Sequence, residues 1–445
     1  MPIPEKPSFG PQDVTVVIPT IHHVFEELRS SLQSIIACEP FELILVTTAS
    51  KSLALEKLAD SLRASGYHSI RVLSTNVANK RLQVCQALPE IRTKITVLAD
   101  DDVFWPKTLI PWILAPFEDA GIGGVGTCQR VQRVRTGPWS ARIFNWLGAA
   151  YIERRNFEIS ATHNIDGGTS CMSGRTGAYR SEILQSHEFL EGFQTEHWGK
   201  YILNADDDNF VTRWLVSHQL KTWVQYERAC EVETTLENSS KFLYQCSRWA
   251  RSNWRSNWTS LVRERYVWTQ QPWSTYALHI ATFTSLAILV DPLLLYSCWR
   301  ATQDWAPVTR QYAFWAQFVF MFGFTKVVKL MGLFLRNPSD IKFLPVSVVF
   351  GYFHGLIKLY ALFTLRMTSW GSREDADTND NMRLAPRPTS SPILKTPSLS
   401  GFRLPQYAST HSLSSLWLSG KTAQKQSRPW RDVSEKTGLL EASSH

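Results

Sequence analysis

Four short apolar runs alternate with helical patterns over the first hundred residues, and the last run ends in three consecutive aspartates. Val14–Pro19 (VTVVIP) is apolar and β-branched almost throughout, as a strand covered on both faces must be. Residues 22–37 then place Val24, Leu28, Leu32 and Ile35 at helical spacing. The same reading predicts strands at 41–46, 69–73 and 94–98, and helices at 53–64 and 80–88. Such alternation builds an open α/β sheet, which takes its ligands beyond the carboxyl ends of its strands. Asp100-Asp101-Asp102 follows the fourth strand at that end.

The second half has a different character. Stretches 141–159 and 242–267 mix Trp, Tyr and aliphatic residues with Arg, a pattern expected of amphipathic helices at a membrane surface. Three apolar stretches follow, near 276–299, 312–335 and 341–365, each long enough to cross about 30 Å of hydrocarbon. Asp291-Pro292 predicts a kink in the first. The second carries Lys326 and Lys329, each costing about 2.5–3.5 kcal/mol near a helix centre. It spans only where those lysines reach headgroups or a polar partner. Beyond Gly371 the periodicity stops, and Ser, Pro and charged residues predict a disordered tail. The expected organisation is an extension (1–12), an α/β domain (13–240), an interfacial region (241–275), a membrane region of two or three spans (276–366) and a tail (367–445).

The net charge of +8 and pI of about 9.1 fit anionic lipid or a phosphorylated substrate. No zinc-finger spacing, RNP-like motif or basic-region helix is present, so a nucleic-acid partner is not expected. Seven cysteines without a C-x-x-C pair argue for a reduced, cytosol-facing region rather than a disulfide framework. The sequons at Asn238 and Asn257 then read as chance matches. The N-terminus shows no signal peptide. The 18 tryptophans crowd residues 198–315, which suits membrane interfaces and sugar stacking.

Three motifs carry chemistry. Adjacent carboxylates repel, so Asp100-Asp101-Asp102 needs a cation or strong donors nearby; spaced as D-x-D, Asp100 and Asp102 suit a hard divalent ion that also holds a diphosphate. A helix cap is the plainer alternative. Asp206-Asp207-Asp208 could likewise cap the helix beginning at Asn209, or supply a base for a hydroxyl. Gln245-x-x-Arg248-Trp249 offers a guanidinium for phosphate and an indole for an apolar sugar face. His22-His23 and His163 read more readily as lining and core residues than as metal ligands. Cys171 and Cys246 read as packing residues.

In this order, with Ser173-Gly174-Arg175-Thr176-Gly177-Ala178-Tyr179-Arg180 between the acidic clusters, the motifs resemble the processive family-2 glycosyltransferases, the hyaluronan synthases and their fungal polysaccharide-synthase relatives. The resemblance covers about 14–365. It implies a GT-A-type α/β catalytic domain facing the cytosol, most simply at the plasma membrane, with a UDP-sugar donor, Mg2+ or Mn2+, and inverting transfer onto a growing polysaccharide. By motif, Asp100 and Asp102 would hold the metal. Thr20, Lys80, Asp101, Gln245, Arg248 and Trp249 would stand on the donor side, with Arg81 beside Lys80. Ser173, Gly174, Thr176, Gly177, Tyr179, Arg180 and Trp249 would face the acceptor. Asp208, four residues before Thr212, would be the general base, with Asp207 beside it. Two departures stand out: Thr47-Thr48 where the family often has an Asp, and a chain that starts almost at its first strand. Two other functions remain open from sequence: single transfer onto a lipid, as in ceramide glucosyltransferases, and a scaffold that has lost turnover.

Overall fold

The computed structural model describes residues 1–368, apart from His23 and Ser285. The tail expected from 367 onward lies almost wholly outside the described residues. Seven strands form the main sheet: β1 (Val14–Pro19), β2 (Glu42–Thr48), β3 (Ile70–Thr75), β4 (Ile95–Ala99), β5 (Ile122–Thr127), β6 (Thr176–Arg180) and β7 (Lys221–Gln225). Their order is β7-β5-β6-β4-β1-β2-β3. Strand β6 runs against both its neighbours, and the remaining pairs are parallel. This is a GT-A-like mixed sheet, with the first four strands where the apolar runs place them.

Two-residue periodicity explains the core. Val14, Val16, Ile18, Leu43 and Leu45 point into one apolar cluster, while Val17, Ile44 and Val46 point into another. Strands β5 to β7 carry no comparable apolar run. The run of β5, IGGVGT, is rich in glycine and looks like a loop. At Gly124 a side chain is excluded by close approach: a Cβ would sit 2.7 Å from Leu215 Cδ1 and 2.9 Å from the Tyr179 ring.

Five helices bear on the site: α1 (Lys80–Ala87), α2 (Trp139–Asp166), α3 (Asp207–Ser217), α4 (Lys241–Trp258) and α5 (Leu344–Phe363). Asn79 starts α1 by accepting from the Leu82 amide at 3.1 Å. Helix α2 does not simply lie on a surface as its composition suggests. Trp146 is fully buried, and the middle of α2 packs against α4, α5 and residues around Leu330 and Phe343.

Among the described residues, two helices, Pro307–Arg336 and Pro338–Phe363, are long and apolar enough to cross a membrane. The lysines of the first meet the condition their cost imposes. Lys326 Nζ lies 3.1 Å from Asp291, and Lys329 Nζ lies 2.7 Å from Glu158. The first apolar stretch differs from expectation. Pro272–Thr284 and Ala287–Ala301 meet at 92°, so the break precedes Pro292 rather than falling on it. Pro292 lies inside the Ala287–Ala301 helix, where it removes one intrahelical hydrogen bond but is not the site of the 92° bend. Asp291 also accepts from the Tyr352 hydroxyl at 2.7 Å.

Candidate active site

The sheet topology brings three chain segments to one edge. Strands β1 and β4 end there, with Thr20 and Asp100 as the next residues. Because β6 is antiparallel, with Thr176 opposite Ala99, its start lies at the same edge, preceded by Ser173–Arg175. Asp100–Asp102 is held between β4 and a small sheet: Val103–Phe104 pairs with Val232–Thr234, which pairs with Gln129–Val131. The Asp100 amide donates to the Arg175 carbonyl at 3.1 Å, and the Thr235 amide to the Asp102 carbonyl at 3.3 Å.

The second triplet is set by backbone geometry. Asp206 adopts φ 66°, a left-handed conformation that costs a non-glycine residue about 1–3 kcal/mol. Its carboxylate is fixed by Arg255, with Nε at 2.7 Å and Nη2 at 3.0 Å, and by the Ser252 hydroxyl. Asp206 and Arg255 side chains are each 2% exposed. Burial raises the Asp206 carboxyl, but the Arg255 charge together with the hydrogen bonds from Arg255 and Ser252 outweighs it and holds the group below its usual value. Asp206 is thus an anchor, and the turn it makes delivers Asp207 and Asp208 at the start of α3.

Lys80 joins the two acidic clusters. Its Nζ lies 2.7 Å from Asp100 Oδ1 and 2.8 Å from Asp207 Oδ2. Burial lowers the pKa of the ammonium, but Asp100 and Asp207 together outweigh it and raise it above its usual value. Arg81, one position on, turns to the core, since successive helical residues do not share a face. It is 1% exposed and binds Glu196 at 2.6 Å and the carbonyls of Phe193 and Ala205 at 2.9 Å. It is a structural residue and does not join Lys80 in lining the cavity described below.

Asp207 and Asp208 diverge. Burial pushes both upward, but Lys80 brings Asp207 below the ordinary carboxylate value, whereas burial and the Asp207 charge leave Asp208 above it. Asp208 Oδ2 accepts the Gly174 amide at 3.2 Å, and Oδ1 accepts the Asn209 amide at 2.8 Å. The Asp208 carbonyl accepts from Thr212, whose hydroxyl also accepts the Met172 amide at 2.9 Å. That explains the four-residue spacing to Thr212.

These groups line one cavity of about 750 Å3, together with Gln245, Arg248 and Trp249 from α4. Arg248 is buried, which lowers its pKa, while Asp208 and Asp100 oppose that shift. Gln245 Oε1 is buried and has no partner among the described residues, an acceptor that a ligand donor would satisfy. Trp249 stacks on Tyr151 at 5.0 Å, with the Arg175 guanidinium 5.5 Å from its ring. Thr20 sits just behind: its hydroxyl donates to the buried Asp101 at 2.5 Å. His22 lines the cavity, while His163 is a core residue packed on Trp223 at 4.8 Å.

Of the residues expected on the acceptor side, Ser173, Gly174 and Trp249 line the cavity. Thr176 is fully buried and accepts from Trp105 Nε1 at 3.0 Å. Gly177 lies in β6, and Tyr179 lies in the core beneath the cavity. Arg180 is paired in register with Ile95, at the opposite end of β4, and donates to the carbonyls of Ile122, Phe117 and Asp119. Antiparallel β6 carries these residues away from the cavity. Arg155 was not singled out. It lines the cavity one helical turn beyond Tyr151 and donates to the Cys171 carbonyl at 3.0 Å. The i, i+4 pairing of Tyr151 with Arg155 on α2 was the available signal.

A divalent ion fits the donor set here. Asp100 and Asp102 offer hard oxygens on the cavity wall, and no group of three or more His, Cys, Asp or Glu among the described residues forms a cage by itself. Such an ion would complete its coordination from a bound diphosphate.

The family described as "Glycosyltransferase like family 2" matches residues 11–252. A "Type 2 glycosyltransferase" of Gibberella zeae is 75% identical over 396 residues, spanning 89% of this chain and 75% of the relative. The "NDP-glycosyltransferase ltbB" of Aspergillus luteorubrus is 27% identical over 85% of this chain and 92% of the relative. Human "Hyaluronan synthase 3" is 23% identical over 73% of this chain and 55% of its own length.

Proposed function

Because the chain belongs to glycosyltransferase family 2, we propose that it transfers a sugar, with inversion, from a UDP-sugar to a hydroxyl of a growing saccharide at a membrane, with the α/β region on the cytosolic side of the plasma membrane. One observation supports this most directly: Lys80 bridges Asp100 and Asp207 inside the cavity that Arg248 and Trp249 also line. A donor site, a base and an acceptor platform thereby share one space.

Asp208 is the general base. Its raised pKa suits a group that must take a proton near neutral pH, and Asp207, tied to Lys80, stays ionised as its partner. The acceptor O–H proton passes to the Asp208 carboxylate while a C–O bond forms at the anomeric carbon. The bond to the diphosphate oxygen breaks, and UDP leaves with the electron pair. Lys80 and Arg248 hold the growing negative charge on that oxygen. Mg2+ or Mn2+, held by Asp100 and Asp102, supplies further charge neutralisation when bound. Gln245 orients the diphosphate, and Trp249 carries the apolar face of the acceptor sugar.

The experiment is UDP release by the purified full chain across a panel of UDP-sugars with Mg2+ or Mn2+, followed by mass analysis of the product. Donor-specific release with saccharide growth is expected. A single-sugar product that partitions into lipid would replace the saccharide acceptor by a lipid. Silence with every donor and both metals would overturn the transferase reading.

A further inference from the structure

One wall of the cavity is closed by aromatic packing. Tyr151 and Trp249 both line the cavity and lie face to face, with planes at 29°. Behind them, Phe242 meets Trp249 edge-on at 6.4 Å and packs on Phe350 at 5.9 Å. His354 meets Tyr151 at 5.7 Å and Phe350 at 5.8 Å. Phe242 is fully buried and Phe350 is 7% exposed. Phe242 and Phe350, with Tyr151 and Trp249 packed against them, belong to an apolar cluster that joins α2, α4 and α5 to Leu330, Leu333 and Phe343.

The seam between α4 and α5 is held further along as well. Trp254 Nε1 donates to the Lys358 carbonyl at 2.9 Å, and Arg251 donates to the Thr364 hydroxyl at 3.4 Å. A sugar ring is as wide as a side chain, so it passes such close packing only if several rings move together. The wall at Glu237, Asn238 and Lys241 is polar instead, and Lys241 is exposed.

Resting on the transferase reading above, we propose that the Tyr151–Trp249 stack is an end-stop for the acceptor. The terminal sugar of a saccharide enters past Glu237–Lys241, lies against Trp249, receives one residue, and leaves the way it came. It does not advance between α4 and α5. Elongation is therefore distributive, with product released after each transfer, and Tyr151 sets how much saccharide the site accommodates.

The test uses the full chain in detergent with Mn2+, the donor that releases UDP, and excess labelled oligosaccharide primer, with products sized over time. The expected result is a short ladder in which all primers lengthen together and remain free in solution. Early, very long chains bound to the enzyme beside unextended primer would overturn the inference. In a second arm, Tyr151→Ala should shift the ladder to longer products or relax primer-length preference, while Tyr151→Phe keeps the original distribution. An unchanged distribution in an active Tyr151→Ala variant would remove Tyr151 from the role. Absence of UDP release from the unaltered chain is a different result and counts against the transferase reading itself.

Discussion

Lys80 Nζ lies 2.8 Å from Asp207 Oδ2, and this contact joins the start of α1 to the start of α3 across the mouth of the sheet. The same ammonium holds Asp100, so one cation is shared by the two acidic clusters. The ammonium holds the Asp207 carboxyl below its usual value despite its burial. It also places a positive charge where a donor diphosphate would sit.

Lys80→Met should therefore weaken donor binding more than acceptor binding. A hydrogen bond to a charged group contributes about 1.5–3 kcal/mol, or roughly 10–150-fold in affinity. Calorimetric titration of the membrane-extracted variant with UDP-sugar and Mn2+ measures this directly. Unchanged affinity would place the diphosphate elsewhere.

The Asp207–Asp208 pair predicts opposite behaviours in two variants. Asp208 is raised by burial and by the charge of Asp207. Between its ordinary and its raised value, the folded chain keeps a proton that the unfolded chain has released, so stability falls as pH rises through that window. At neutral pH an ionised Asp208 is thus a cost, and Asp208→Asn should melt a few degrees higher. The same variant should lose about 10²–10⁴ in transfer rate while still binding donor. In the unaltered chain, turnover should fall as acidification protonates Asp208. Asp207 is held low by Lys80, so Asp207→Asn should melt lower. Melting curves that rank the two variants the other way would mean that the base and its partner are exchanged.

Asp206 carries a structural prediction. Breaking a buried ion pair by removing one partner costs about 3–5 kcal/mol. Arg255→Met leaves the Asp206 carboxylate, 2% exposed, without its main partner, and also frees the carbonyls of Leu365 and Met367, which Arg255 holds at 3.1 Å. The variant should be recovered poorly and melt far below the unaltered chain. Asp206→Asn/Arg255→Met should recover part of the loss. Equal melting of Arg255→Met and the unaltered chain would remove Asp206 from its anchoring role.

The sequence made some of this plain and hid the rest for physical reasons. Strands β1, β2 and β4 are legible because both their faces are largely buried, which leaves apolar runs such as VTVVIP. Asp100–Asp102 is legible because it closes such a run. Strand β5 is not, because close packing on Leu215 and Tyr179 demands glycine where a strand signal needs β-branched residues. The direction of β6 leaves no local mark on TGAYR, so Tyr179 and Arg180 look like neighbours of Ser173 when the strand carries them away from it. Arg155 is hidden for another reason: an Arg among Tyr, Ile and Phe on a helix looks like a membrane-surface residue until tertiary packing turns it inward.

The helix α4 carries two side chains whose losses should separate. Arg248 is buried on the cavity wall, near enough to Asp208 and Asp100 to feel their charges. It lines the same cavity as Lys80, so in the proposed mechanism it meets the leaving diphosphate. Arg248→Ala should lower kcat through loss of a charge-assisted contact of about 1.5–3 kcal/mol, roughly 10–150-fold in rate. Trp249 presents an indole already packed on Tyr151, with Arg175 over its ring. In the proposed mechanism it carries a sugar face, so Trp249→Ala should raise the acceptor KM and change product length while donor affinity holds. A conservative Trp249→Phe should restore much of the acceptor binding, because a smaller aromatic face still stacks. The measurement is UDP release against acceptor concentration, with product sizing, for each variant in detergent. Should both alanine variants match the unaltered chain in rate and product, α4 would be a packing element alone, and the diphosphate and acceptor would have to be placed on other walls of the cavity.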